Sequence, residues 1–149
     1  MIARNLANII SNNLWKNKAI IVMGARQVGK TSLLKMLFAD AEDVLWLNAD
    51  EQDVRALFEN ATSTILKQYF GKNKIIIIDE AQRINNIGIK LKLITDQMMD
   101  KQLIATGSSS FEFNWNPKKN SKIPQIFKKT YANSDFKIIN KDNIEEFLI

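Results

Sequence analysis

The chain of 149 residues contains no cysteine and no histidine. The absence of cysteine excludes disulfide bonds and thiolate chemistry. The absence of histidine excludes Ser-His-Asp and Cys-His catalysis, and with them almost every kind of zinc site. Any chemistry that the chain performs therefore has to use other residue types.

Long apolar runs are also absent. The longest, residues 19–23 and 75–78, have the length of a strand, whereas a membrane-spanning helix needs roughly 20 apolar residues. Arg4, Asn5 and Asn8 interrupt the apolar residues at the N-terminus, so we expect no signal peptide. These features predict a cytoplasmic protein without a membrane partner. The net charge of +5 permits contact with nucleic acid but is only a weak indication of it.

The hydrophobic pattern predicts a single α/β domain. With 46% hydrophobic and 25% charged residues, the composition is that of a globular protein. Strand-like runs at residues 18–23, 44–48, 74–80 and 102–106 alternate with helical patterns at 2–14, 24–38 (a glycine loop that opens a helix), 51–69 and 87–99. Such alternation is typical of a mainly parallel sheet that helices cover on both faces. The third of these patterns has its apolar positions at Val54, Leu57, Phe58, Ile65 and Leu66, and residues 61–63 predict a break that divides it into two helices.

The segment GARQVGKT, residues 24–31, matches the phosphate-loop pattern G-x-x-x-x-G-K-[ST] between a predicted strand and a predicted helix. Its backbone N–H groups and the N-terminus of the following helix would bind phosphates. Lys30 would neutralise the β- and γ-phosphates, and the Thr31 hydroxyl would hold Mg²⁺. The alternative is a chance glycine turn with an exposed lysine. The predicted nucleotide-binding residues are Gly24, Ala25, Arg26, Gln27, Val28, Gly29, Lys30, Thr31 and Ser32.

Two carboxylates follow the most apolar run, in IIIIDE at residues 75–80. A strand that is buried on both faces has no use for them, so we expect Asp79 and Glu80, the acidic pair, at its C-terminal end, where α/β sheets bind ligands. Asp79 would orient Mg²⁺, and Glu80 would deprotonate the attacking water. The alternative is a polar strand end that caps the next helix.

The segment TGSSS, residues 106–110, ends another apolar run. Thr106, Ser108 or Ser109 would donate a hydrogen bond to the γ-phosphate or to the attacking water, and we assign this catalytic role to Ser108. The alternative is an ordinary Gly/Ser turn.

Together these residues resemble a known family, the prokaryotic AAA-type ATPases that join an N-terminal Walker core to a C-terminal domain related to restriction endonucleases. The similarity covers residues 1–110 and lies in GARQVGKT (Walker A), LNAD (47–50), IIIIDEAQRI (75–84, Walker B) and ATGSSSFE (105–112). It implies a three-layer P-loop NTPase fold and the roles given above for Lys30, Thr31, Asp79 and Glu80. The sensor-one position of the family would fall at or near Ser108.

Residues 111–149 are similar to the far C-terminal end of the same family, the last strand, helix and strand of its nuclease-like domain. The chain therefore resembles an internally deleted member, joined at or near Phe111-Glu112. We expect residues 111–149 to form a strand-helix-strand-helix unit packed onto the ATP-binding core, residues 1–110. Residues 135–139 would add a strand to the sheet.

The departures from the family pattern limit the expected activity. Glu112 stands where the nuclease motif has its glutamate, but Asn114 replaces the lysine, so we expect no nuclease activity. The absent region would also carry the arginine finger and the second sensor arginine. Arg83 is expected to pair with a surface acid instead. The resemblance thus implies an ATPase-type protein that binds ATP and Mg²⁺ with weak or absent hydrolysis, and possible homo-oligomers.

A second hypothesis is a catalytically silent module that binds nucleotide or DNA. The C-terminal segment is basic and contains Trp115, Phe127 and Tyr131, which would stack on bases. A solvated surface is the more ordinary explanation of such a run. Its lysines are Lys118, Lys119, Lys122, Lys128 and Lys129.

Overall fold

The computed structural model of the protein describes residues 2–108 as alternating strands and helices. The strands are β1 (Ile20–Met23), β2 (Val44–Asn48), β3 (Ile75–Asp79) and β4 (Gln102–Gly107). The helices are α1 (Ile2–Asn13), α2 (Lys30–Leu37), α3 (Gln52–Glu59), α4 (Ser63–Phe70) and α5 (Ile87–Gln97), and a 3₁₀ turn spans Ala81–Arg83.

The four strands form one parallel sheet in the order β1-β4-β3-β2. In the register of this sheet, Met23 lies opposite Gly107 and Asn48 lies opposite Asp79. The carboxyl ends of all four strands therefore lie along one edge, which is where α/β sheets bind ligands. The predicted α/β class is confirmed, and the architecture is that of a P-loop NTPase-like fold.

Strand β3 shows why the sheet needs helices on both faces. Ile75 and Ile77 are buried against α1 and α2, whereas Ile76 and Ile78 are buried against α3, α4 and α5. Successive side chains of a strand point to opposite faces, so four consecutive isoleucines can be buried only between two helical layers. Each such side chain contributes about 1.5–3 kcal/mol through its burial.

The predicted break in the third helical region is also present. Helix α3 ends at Glu59 and α4 begins at Ser63. Thr62 is the N-cap of α4, and its hydroxyl accepts a hydrogen bond of 3.3 Å from the Ile65 N–H. The expected apolar position of Ile65 was wrong, because this side chain is 44% exposed. In the separate helix α4, Leu66 and Phe70 are one turn apart and face the core, which turns Ile65 toward solvent.

Within residues 2–108, none of the helices combines the length and the apolarity that crossing a bilayer requires. Several predictions fall outside these described residues. They are the strand-helix-strand-helix unit, the added strand at 135–139, the Glu112 and Asn114 substitution pattern, Ser109 and the basic C-terminal segment.

Candidate functional site

The phosphate loop connects β1 to α2 at the carboxyl edge of the sheet. Its first residue is fixed, because the Gly24 N–H donates a hydrogen bond of 3.2 Å to the Gly107 carbonyl at the end of β4. The backbone is left-handed at Gln27 (φ 64°) and at Gly29 (φ 88°). A residue with a Cβ adopts this conformation only with strain, which explains the glycine directly before α2. Gly24 is buried, whereas residues 25–29 are exposed and available to a ligand.

Lys30 is the first residue of α2, and its side chain turns back into the loop. The Lys30 Nζ donates hydrogen bonds to the carbonyls of Gly24 (3.0 Å) and Ala25 (2.8 Å). Burial lowers the pKa of Lys30 below its ordinary value, the negative charges of Glu80 and Asp79 oppose this effect, and the charge of Arg26 adds to it. The ammonium group thus lies within electrostatic reach of the loop and of the acidic pair.

The next residue, Thr31, joins α2 to β3. Its hydroxyl donates a hydrogen bond of 2.8 Å to Oδ2 of Asp79, and the Thr106 hydroxyl on β4 donates to Oδ1 of the same carboxylate. Asp79 therefore has a hydroxyl partner on each oxygen. The third helical residue, Ser32, is exposed on the surface of α2.

The Thr31–Asp79 pair offers two neighbouring oxygen atoms of the kind that Mg²⁺ prefers. Among residues 2–108, no cluster of three or more Asp, Glu, His or Cys side chains could enclose a metal ion by itself. This sparse oxygen set fits Mg²⁺, which is usually held by one or two protein ligands together with water and substrate phosphates. The residues present thus fit magnesium bound with a nucleotide, and they do not form an all-protein cage.

Glu80 follows β3 in a left-handed conformation (φ 53°, ψ 40°). Such a backbone costs about 1–2 kcal/mol for a residue other than glycine, and the Glu80 N–H offsets part of this by donating a hydrogen bond of 3.1 Å to the Thr106 hydroxyl. The Glu80 side chain does not cap the following 3₁₀ turn. Its carboxylate instead accepts a hydrogen bond from the Nε2 of Gln82.

The end of β4 lies beside the acidic pair. Thr106 is fully buried and contacts both members of the pair, through the Asp79 carboxylate and the Glu80 backbone. Ser108 is buried directly after the strand, and its backbone N–H donates to Oε1 of Gln82 at 3.4 Å. The structure thus places Thr106 in contact with both acidic residues and Ser108 in contact with Gln82.

Gln82 is the residue of this site that the sequence analysis did not single out. It lies inside the quoted IIIIDEAQRI motif, but only the 3₁₀ turn brings its amide back to Glu80.

The prediction that Arg83 pairs with a surface acid is confirmed. The Arg83 Nε lies 3.1 Å from an oxygen of Asp50, and both side chains are about half exposed.

Comparison with known proteins gives one family. The family model described as "AAA domain" matches residues 16–126, which is most of the chain and includes the phosphate loop, the acidic pair and the end of β4. The comparison with curated proteins finds no match.

Proposed function

The chain belongs to the AAA domain family, whose members are P-loop nucleotide-binding proteins, and on that premise we propose that it is a cytoplasmic, magnesium-dependent ATP-binding protein with weak or absent ATP hydrolysis. The prediction of an AAA-type family is confirmed. The nuclease-like origin of residues 111–149 and the internal deletion stay predictions.

The proposal is carried by the hydrogen bond between the Thr31 hydroxyl and the Asp79 carboxylate. These side chains belong to two segments far apart in the sequence, the phosphate loop and the acidic pair, and both were predicted to hold Mg²⁺. They are neighbours of Lys30 and Glu80 along the chain, so one small region holds a cation for phosphate, oxygen ligands for a metal and a further carboxylate. A chance glycine turn would give no reason for this combination.

Each residue has a distinct task in binding. Lys30 would transfer its interactions from two neutral carbonyls, those of Gly24 and Ala25, to the charged oxygens of the β- and γ-phosphates, where both partners of each hydrogen bond carry a charge. The exposed backbone of residues 25–29 would lie against the phosphates. Thr31 and Asp79 would hold Mg²⁺, which when bound supplies positive charge to the β- and γ-phosphates.

Hydrolysis would depend on Glu80. Its carboxylate would accept the proton of the attacking water, and Ser108 would contribute a hydrogen bond to the γ-phosphate or to that water. An arginine that stabilises the developing charge contributes about 10³–10⁵ in rate. Two of the arginines in the described part of the chain are otherwise engaged, since Arg55 donates to the carbonyls of Ala49 and Asp50 and Arg83 pairs with Asp50. We therefore expect the protein to bind ATP but to hydrolyse it slowly or not at all.

Isothermal titration of the full chain with ATP and with ADP, each with Mg²⁺ and with excess EDTA, tests this proposal. The expected result is saturable binding of both nucleotides, with a clear loss of ATP affinity in EDTA. Nucleotide binding is rejected if neither ATP nor ADP at millimolar concentration gives heat or thermal stabilisation. The magnesium role is rejected if the affinity for ATP is the same in EDTA.

A further inference from the structure

Gln82 connects two parts of the site that are distant in the sequence. Its Nε2 donates to an oxygen of the Glu80 carboxylate, and its Oε1 accepts from the Ser108 backbone N–H at 3.4 Å. The side chain is half-buried in the 3₁₀ turn that follows β3. One amide group thus bridges the predicted general base and the chain just after β4.

The chemistry of the two partners fixes the orientation of this amide. A carboxylate can only accept hydrogen bonds, and a backbone N–H can only donate one. If the amide were rotated by 180°, its oxygen would face the carboxylate and its NH₂ group would face the N–H, so both contacts would be repulsive. The bridge therefore requires a side chain that carries a donor and an acceptor at the distance found in glutamine.

The two carboxylates are connected to β4 by different side chains. Asp79 is connected through the Thr106 hydroxyl, whereas the carboxylate of Glu80 is connected through Gln82. A change at Gln82 thus leaves the direct contact between Thr106 and the magnesium-binding carboxylate in place. This separation makes it possible to disturb the position of Glu80 without disturbing the oxygen atoms predicted to bind the metal.

We propose that Gln82 is a positioning residue that links the carboxylate of Glu80 to the backbone N–H of Ser108, so that the placement of the general base depends on the amide of Gln82. The catalytic part of this inference rests on the proposed function. The coupling between Glu80 and Ser108 is independent of the proposed function, and it is tested separately.

The first experiment measures the coupling in the nucleotide-free full chain by NMR. The Ser108 amide signal is followed at pH 7 in the wild type and in Glu80→Ala, which removes the carboxylate that accepts the hydrogen bond of Gln82. We expect Glu80→Ala to change the chemical shift of the Ser108 amide, because the Gln82 side chain that accepts from this amide loses its second partner.

Gln82→Met is the informative variant, because it keeps the side-chain length and lacks both the donor and the acceptor. We expect it to abolish the response of the Ser108 amide to Glu80→Ala, as does Gln82→Ala, which serves as the second variant if the first is poorly folded. Asn85→Ala, an exposed change just beyond the 3₁₀ turn, keeps the response. A Ser108 response that persists in both Gln82 variants, or that is absent from the wild type, overturns the proposal.

The second experiment measures phosphate release at saturating magnesium over a range of ATP concentrations, which gives both kcat and KM. Because displacing a catalytic group by about 1 Å can lower a rate by up to about 100-fold, we expect Gln82→Met to lower kcat about 10- to 100-fold. KM and the Kd of ATP should change little, whereas a general loss of structure would change them together. An unchanged kcat in a variant that has lost the Ser108 response overturns the catalytic part. If the wild type binds ATP but releases no phosphate, the catalytic part is overturned. If the wild type binds no nucleotide, the proposed function fails. In both cases the NMR result alone decides the coupling.

Discussion

The Thr31 hydroxyl donates a hydrogen bond of 2.8 Å to the Asp79 carboxylate, although the two residues are 48 positions apart in the sequence. This bond connects the first turn of α2 to the last residue of β3. The two predicted metal ligands thus lie side by side at the carboxyl edge of the sheet.

Replacing Lys30 by alanine should weaken ATP binding. The variant loses the charge that would contact the β- and γ-phosphates, and a hydrogen bond to a charged group contributes about 1.5–3 kcal/mol, roughly 10- to 100-fold in Kd. Titration calorimetry and the thermal shift at a fixed ATP concentration measure the effect. Lys35→Ala is the matched control, since Lys35 is exposed in the last turn of the same helix, and equal loss in both variants would contradict the role of Lys30.

Replacing Glu80 by glutamine should separate binding from hydrolysis. The variant cannot accept the proton of water, and general-base catalysis contributes about 10²–10⁴ in rate. ATP affinity should be retained or increased, because one negative charge near the phosphates is removed. Any phosphate release by the wild type should fall accordingly, whereas Glu59→Gln, an exposed change on α3, should leave it unchanged. If Glu80→Gln released phosphate at the wild-type rate, Glu80 would not be the general base.

Replacing Thr106 by valine should destabilise the protein in the absence of nucleotide. Valine has nearly the same shape, but it removes the donor to the Asp79 carboxylate and the acceptor of the Glu80 N–H. A buried polar group that loses its partner costs about 1–3 kcal/mol. Urea unfolding measures this loss.

Two control variants test whether the loss of stability in Thr106→Val comes from the hydroxyl group at this position. Thr106→Ser keeps the hydroxyl and should retain most of the free energy of unfolding. Thr64→Val changes an exposed residue of α4 and should stay within about 0.5 kcal/mol of the wild type. A free energy of unfolding for Thr106→Val equal to that of Thr64→Val would show that the hydroxyl does not support the acidic pair.

The sequence predicted the sheet and the placement of the acidic pair because both depend on local patterns. Four consecutive isoleucines indicate a strand buried on both faces, and two carboxylates directly after them have to lie at its end. The phosphate-loop pattern likewise combines a strand, a glycine turn and a helix within one short segment. In each case the spacing along the chain determines the position in space.

The bridge made by Gln82 could not be predicted in this way. It depends on the left-handed backbone at Glu80 and on the 3₁₀ turn that follows, and glutamine in a polar segment has no distinctive signal of its own. The exposure of Ile65 was missed for a related reason. Helical spacing predicts which residues face the core only when the start of the helix is known. The cap at Thr62 begins a new helix, and the spacing has to be counted from there.

The stability of the nucleotide-free protein should depend on the ionisation of Lys30. Burial lowers the pKa of this side chain in the folded state below its ordinary value of 10.5, so over the interval between the two values the unfolded chain binds more protons than the folded one. The free energy of unfolding then rises with pH across that interval. Below that interval Lys30 is charged in both states, and the cost of its burial is present in full.

Lys30→Met isolates this contribution, because methionine fills a similar volume without a charge. The difference in free energy of unfolding between wild type and variant, measured in urea at several pH values from 7 to 10.5, cancels the titration of all other lysines and tyrosines. We expect the wild type to gain stability relative to the variant as the pH rises. A difference that is constant with pH, or that moves the other way, would show that burial does not lower the pKa of Lys30.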